Sequence, residues 1–253
     1  MRFTLRTTLL LVAFAALVSL GISQVLEVRR SAIRRSRGFH YKQIVLALWN
    51  YDSAVGHLPE ATHFAPDDPK TALFSWRLSI LPRYASYHMD IDNSVRWDAP
   101  AHARWRGVSQ PFAVGGWGEG AWDTRSPADI PAETSIYAIT GLGTAFGDGK
   151  TNRPMTIESV PGSTVLIAEV AASGHHWMAP GDFDVQNISR QIGEQTSDSI
   201  SGNFEGGFYV AFADAEVWFM SNSTPFESLS KFFTPADAAK FDREAILGQY
   251  RLD

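Results

Sequence analysis

From Thr7 to Leu26 the chain runs twenty residues without a charged side chain, TTLLLVAFAALVSLGISQVL, and no proline interrupts it before Pro59. As a helix rising 1.5 Å per residue, this run spans about 30 Å, the thickness of a bilayer core. A helix also satisfies every backbone polar group internally, which lipid demands. The run predicts a membrane-spanning helix over residues 7–26 behind a short cytoplasmic N-terminus, 1–6, with the lipid bilayer as the first partner. The competing reading is a cleaved signal peptide, with Arg2 and Arg6 as its basic start and Ser19, Gly21 and Ser23 near a cut site. Dense positive charge just behind the run (Arg29, Arg30, Arg34, Arg35 and Arg37) resists translocation and favours a retained helix.

Charge is divided along the chain. Residues 1–42 hold eight Lys and Arg against Glu27 alone, while the remainder carries 14 basic and 26 acidic side chains, a net of −12. An acidic body repels phosphate backbones, so no nucleic acid is expected as a partner. The basic cluster suits anionic lipid headgroups, worth about 1 kcal/mol per residue near such a surface. Counting positive charge on either side of the apolar run, taken alone, would leave the acidic domain in the cytoplasm.

Behind the cluster, Ile33, Tyr41, Ile44, Leu48, Tyr51 and Val55 recur mostly at three- and four-residue intervals, one apolar stripe of a helix stopped by Gly56 and Pro59. Residues 27–56 therefore form a basic, amphipathic helix, either one rod with the membrane helix or separate from it. Residues 57–253 form an acidic head domain. Within the head, SWRLSILPRY (75–84) is a short apolar element ended by Pro82, and AVGGWGEGAW (113–122) is a surface loop anchored by tryptophans. Strands are expected at Ser135–Thr140 and at Ser163–Val170, the latter apolar enough to be central. GGFYVAFADAEVWFMS (206–221) reads as a hairpin turning around Asp214-Ala215-Glu216, with Tyr209, Ala211, Ala213, Val217 and Phe219 on one face. Thr234 caps a helix expected to run to about Leu247, with Pro235 at its first position.

The chemical motifs are near misses. Cys is 0, which removes disulfides, zinc–thiolate sites and cysteine nucleophiles together. GLGTAFGDGKT (141–151) is not a phosphate loop, because Thr144 stands where its first glycine is needed and Asn152-Arg153-Pro154 follows the lysine. It reads as a glycine turn after a strand. His175-His176 with Asp182 and Asp184 could suggest a metal, but adjacent histidines on a strand face opposite ways. Asp90, Asp92 and Ser94 start like a calcium loop, which Val95 and Ala101 then break. A loosely built calcium site on Asp148 or Asp182 stays open. No hydrolase elbow or zinc-protease helix is present, so no catalytic site and no cofactor are expected.

Several segments, in order, resemble one family. FHYKQIVLALWNYDSAVGHLPEAT (39–62) is similar to its N-L-K-Q-I-x-L-A-x-H-N-Y stretch and Gly-x-x-Pro exit. SWRLSILPRY and RWDAPAH (96–102) are similar to its S-W-R-x-x-x-L-P-Y and W-D-x-P-x-N segments. YAITGLGTAFGDGKT, STVLIAEV and FEGGFYVAFADAEVWFMS continue the match to about residue 222. The family is a large bacterial one of unknown function, abundant in planctomycetes, with a type IV pilin-like N-terminus and a C-terminal His-x9-Asp-Gly signature. Its members are often called prepilin-type processing-associated proteins. The resemblance makes Trp76, Pro82, Trp97, Asp98, Gly141, Gly143, Gly206, Gly207 and Asp214 structural motif positions. Departures are also visible. Arg2 stands where prepilin peptidase needs glycine, Thr7 where a pilin carries its assembly glutamate, Phe204 at the signature histidine and Ala215 at its glycine. An unprocessed N-terminus and an altered or strained turn are therefore expected.

The resemblance implies an α+β, pilin-like fold, with a long N-terminal helix packed on an antiparallel sheet. It also implies an inner-membrane, single-pass protein whose head is exported, against the charge count. The expected role is structural or secretion-associated, through pseudopilin or envelope protein partners and without catalysis. The alternative is an anchored binding module for a solute or polymer, with Trp117 and Trp122 at its contact surface.

Overall fold

The computed structural model describes residues 5–85, 91–103, 112, 133–147 and 153–252; for residues 5–13, 15–18, 20, 84 and 85 it describes the backbone alone. The uncharged run and the stripe behind it form one rod, helix α1 (Leu5–Val55), about 76 Å long at 1.5 Å per residue. It stops at Gly56, whose φ of +90° a side chain would resist and whose N–H reaches the Asp52 carbonyl at 2.6 Å. Among the described residues, no helix is long and apolar enough to cross a membrane. Most side chains of the expected membrane helix, 7–26, lie outside the described residues.

The buried stripe of α1 is wider than the sequence spacing predicts. Tyr41, Ile44, Val45, Ala47 and Leu48 are all within 1% of full burial, and Arg37, His40 and Asp52 share their face. Val55 is 43% exposed, so the stripe ends a turn early. Burying each large apolar side chain contributes about 1.5–3 kcal/mol, which fastens this half of the rod to the head.

The head is built on a five-stranded sheet ordered β5-β3-β4-β6-β7. Its strands are β3 (Ile136–Thr140), β4 (Val165–Glu169), β5 (Phe183–Asp184), β6 (Gly207–Phe212) and β7 (Val217–Ser221). The sheet is mixed rather than purely antiparallel, because β5 runs parallel to β3. As its unbroken apolar run requires, β4 sits at the centre, between β3 and β6. One sheet face, including Ala138, Tyr209, Ala211 and Phe219, packs with α1. The other, including Tyr137, Val210, Phe212 and Trp218, is covered by Leu229, Phe232, Phe233 and Leu247 from the C-terminal segment.

The predicted hairpin forms with its turn in the predicted place. Ala211 pairs with Val217, the Phe212 N–H reaches the Glu216 carbonyl at 2.9 Å, and the Ala215 N–H reaches the Phe212 carbonyl at 3.0 Å. The loop is thus Ala213-Asp214-Ala215, a three-residue connection whose last residue is left-handed; Ala215 has φ +63°.

Two expectations are corrected, and one hairpin was not foreseen. SWRLSILPRY is helix α2 (Trp76–Ala85), and Pro82 lies inside it rather than ending it. The stretch before it holds a hairpin, β1 (Thr62–Ala65) and β2 (Asp68–Ser75), behind residues whose Pro and Asp content reads as loop. The C-terminal helix is broken. After α3 (Phe226–Leu229), α4 (Pro235–Ala238) is capped by Thr234 as predicted. Asp242 then takes the Ala245 N–H at 3.0 Å and starts a separate α5 (Arg243–Leu247).

Candidate functional site

Among the described residues, two buried constellations bring charged groups together. The first joins α1 to the sheet. Glu169, the last residue of β4, is fully buried, and its carboxylate accepts from the backbone N–H groups of Asn203 (3.2 Å) and Tyr209 (3.1 Å) and from the Asn203 amide (3.1 Å). Arg37 of α1 completes the set at 3.5 Å and also donates to the Ser135 hydroxyl. The Arg37 expected in a lipid-facing basic cluster is therefore buried in an ion pair instead. Around it, the Tyr41 hydroxyl donates to the Ser135 carbonyl (3.3 Å) and the Tyr209 hydroxyl to the Arg34 carbonyl (2.6 Å). Burial, then the neighbouring Glu169 charge, pushes the Tyr41 hydroxyl well above its ordinary pKa.

Above this junction the helix leaves the head. Every described side chain from Phe14 to Arg30 is exposed, among them Phe14, Ile22, Val25, Leu26 and Val28 at 49–68%. Where rod and sheet part, a groove of about 560 Å³ opens between α1 and β7. Arg34, Arg35 and Lys42 line one wall, while Phe219, Val217 and the C-terminal Arg251 and Leu252 line the other.

The second constellation is buried. Arg77 in α2 is fully enclosed, with the faces of Trp76 and Tyr137 at 5.2 and 5.4 Å. It donates twice to the Ile136 carbonyl (3.0 and 2.6 Å), to the Ser75 hydroxyl (2.6 Å), to the Gly181 carbonyl (3.0 Å) and to Asp182 (2.9 Å). The same Asp182 oxygen accepts from the Trp76 indole (3.0 Å) and the Ala138 N–H (2.8 Å), while its other oxygen makes no hydrogen bond among the described residues. Tyr137 is bonded to His175. Burial pushes the Asp182 carboxyl up, the Arg77 guanidinium down and Tyr137 up to about 12; burial, then the Arg77 charge, lowers His175. Because Arg77 spends its donors on backbone carbonyls of two segments, the arrangement pins α2 to β3 and to the approach to β5.

The motif positions are spread over the head rather than gathered in a cleft. Trp76 belongs to the Arg77 pin, and Pro82 lies exposed in α2. Trp97 stacks on His176 at 4.7 Å and donates its backbone N–H to the Leu73 carbonyl; Asp98 pairs with Arg96 at 2.9 Å. Gly141 and Gly143, at φ +114° and +81°, shape the turn after β3. That turn is closed by the Gly141 N–H on the Gly147 carbonyl at 2.8 Å. Gly206 has φ +85°, and a Cβ on Gly207 would collide with the Met220 carbonyl and the Phe219 ring. Asp214 binds the Glu216 N–H (3.0 Å) and Arg243 (3.0 Å). Phe204, at the signature histidine position, meets Tyr209 and Phe219 edge-on.

The candidate metal ligands are dispersed. His175 turns to Tyr137, His176 to Trp97 and Asp182 to Arg77, while Asp184 caps its own turn through the Gln186 N–H at 3.0 Å. Asp92 likewise holds the Ser94 N–H at 2.9 Å. Among the described residues, no group of three or more His, Asp or Glu converges. Asp90, Asp148, Trp117 and Trp122 lie outside the described residues. Arg37 with Glu169 and Arg77 with Asp182 form the two buried ion pairs, and the usable signal for Glu169 and Arg77 was a lone charge inside an apolar run, which burial forces to find a partner.

Residues 34–156, just under half of the chain, match the family described as "Protein of unknown function (DUF1559)". The match begins at the helix–sheet junction and ends after the glycine turn, short of β4. No curated protein and no solved structure matches the chain.

Proposed function

We propose that the chain is a membrane-anchored envelope protein with a structural or assembly role, in the manner of a pseudopilin. The first half of α1 lies in the bilayer as a single pass, and the acidic head stands outside the cytoplasm. The observation that carries this reading is that every described side chain of α1 from Phe14 to Arg30 is exposed. Phe14, Ile22, Val25, Leu26 and Val28 are 49–68% exposed, on a stretch of helix the head does not cover. Covering five such side chains is worth roughly 8–15 kcal/mol, as much as the whole stability of an ordinary domain. The uncharged sequence around them, Thr7–Leu26, has the length a bilayer core needs. Firm seating of the lower half through Arg37–Glu169 favours a rigid stalk over a hinged tether, which suits a part that positions its head. The buried Arg77–Asp182 pin gives the head rigidity and is assigned no reaction.

Flotation of the full chain with phosphatidylcholine vesicles, followed by alkaline carbonate extraction, tests the anchor. The chain is expected to float and to resist extraction; a chain left at the bottom of the gradient overturns the reading. Protease digestion of the head in intact spheroplasts tests the orientation, and protection until lysis would place the head in the cytoplasm.

A further inference from the structure

A cavity of about 320 Å³ opens where β3 ends and β5 runs beside it, with the first residues of β1 as its third wall. The Asp182 side chain, which lines it, is 5% exposed. Its Oδ1 takes the Trp76 indole, Arg77 and the Ala138 N–H, while its Oδ2 makes no hydrogen bond among the described residues. The two oxygens of a carboxylate diverge from one carbon, so with Oδ1 held on the Arg77 side, Oδ2 is the oxygen left for the cavity. Two further acceptors line the same space with capacity to spare. Each Asp184 oxygen takes one donor, the Gln186 N–H (3.0 Å) or the Asn187 amide (2.9 Å), and can accept another. The Thr140 hydroxyl donates to the Phe183 carbonyl (3.1 Å), which leaves its oxygen able to accept. A Cβ on Gly141 would meet Asp184 Oδ1 and the Val185 side chain, both at 2.9 Å, so this motif glycine lets the turn after β3 lie against the site.

The chemistry of this lining selects the ligand. A buried carboxylate oxygen without a donor is among the costliest polar groups to leave unmatched, and ionised carboxylates only accept, so a complementary molecule brings hydrogen-bond donors. A cation is a poor match. The Arg77 guanidinium already stands 2.9 Å from the same carboxylate, and among the described residues no third acid or histidine joins Asp182 and Asp184. Neutral hydroxyls meet both conditions. The rest of the wall is apolar, with Phe64, Ala61 and the 61%-exposed Leu142. A few converging polar groups beside an apolar wall are the usual make-up of a small-molecule site. A sugar ring matches that division, since its hydroxyls project at the edge and its C–H groups form apolar faces. We infer that the cavity binds a neutral sugar ring, with its hydroxyls on Asp182 Oδ2 and Asp184 and a C–H face against Phe64. The site lies wholly within the head, so it stands apart from the anchored reading above and adds a ligand to a head otherwise assigned a structural role.

The Trp76 indole, bonded to Asp182 Oδ1 at 3.0 Å, is a built-in reporter. Its N–H resonance is followed by NMR in the isotope-labelled full chain, held in a phosphocholine detergent that carries no sugar of its own. The resonance is assigned from its nuclear Overhauser contact with the Ala138 N–H, which shares the same Asp182 oxygen. D-Glucose, D-galactose, D-mannose and N-acetyl-D-glucosamine are titrated to about 100 mM, enough to fill a site of millimolar affinity. At least one is expected to move the resonance saturably. Asp182→Asn keeps an acceptor for Trp76 and Arg77 but puts a donor at the free position, and should weaken binding roughly tenfold or more. Asp184→Asn, whose amide oxygen still caps its turn, should weaken it several-fold. The site is overturned if none of the four sugars gives a saturable shift, or if both variants bind as the parent does. Where Asp182→Asn does not fold, undiminished binding in Asp184→Asn overturns it alone. A shift produced by calcium chloride or methylammonium chloride, and by none of the sugars, assigns the cavity to a cation and also overturns it. Each of these outcomes leaves the anchor standing.

Discussion

Ala215 closes the β6–β7 turn in a left-handed conformation, φ +63°, where a Cβ costs roughly 1–2 kcal/mol. The resemblance implies glycine at this place, and the sequence already predicted an altered or strained turn. The hydrogen bonds show that the three-residue turn is kept and the strain accepted. Its methyl group is buried, 4% exposed, and that contact contributes about 0.8 kcal/mol. Relief of strain and loss of packing therefore nearly cancel in Ala215→Gly, expected within about 1 kcal/mol of the parent by urea unfolding followed through tryptophan fluorescence. Ala215→Val keeps the strain and adds a β-branch that tolerates it poorly, so a loss of about 1–2 kcal/mol or more is expected. An unchanged valine variant would mean that the turn is not left-handed here. Single residues of this kind were legible because the turn fixes their backbone locally. Arg37 was not, since it was grouped with the lipid-facing arginines although its spacing sets it on the Ile33–Tyr41–Ile44 face, and only the fold supplies Glu169.

At the scale of elements, the lower half of α1 and strand β4 are held by one buried ion pair, and its energetics are asymmetric. Arg37→Met leaves the Glu169 carboxylate buried without its cation, which costs about 3–5 kcal/mol for pairs of this type. Three remaining N–H donors to Glu169 argue for the lower end. Adding Glu169→Gln removes the orphaned charge while keeping an acceptor, so the double variant is expected to be more stable than Arg37→Met alone. A double-mutant cycle in urea checks this, and additive losses would contradict the pairing. The elements legible in the sequence were those with strong periodicity: α1, β3, β4 and the β6–β7 hairpin. The β1–β2 hairpin was hidden by Pro66, Asp67, Asp68 and Pro69, whose local preference for turns is met only at the hairpin's own connection and the start of β2. The break between α4 and α5 comes from Asp242 taking a backbone N–H that a continuous helix would have used.

On the scale of the whole molecule one rod has two environments: every described side chain from Phe14 to Arg30 is exposed, while from Arg37 to Asp52 one face is packed and ion-paired. That division was readable as composition, an uncharged run followed by arginines and an acidic body. The junction was not, because the groove depends on β7 and the C-terminus returning to the helix from about two hundred residues away. The central claim is that the upper half of α1 lies in a bilayer. It is tested most directly by placing an environment-sensitive fluorophore on single cysteines at Phe14, Ile22, Val28 and Arg35 of the otherwise cysteine-free chain, reconstituted in vesicles. The account predicts blue-shifted emission, quenched by acyl-chain nitroxides, at positions 14 and 22, an intermediate signal at 28 and water-like emission at 35. Water-like emission at all four positions would contradict it.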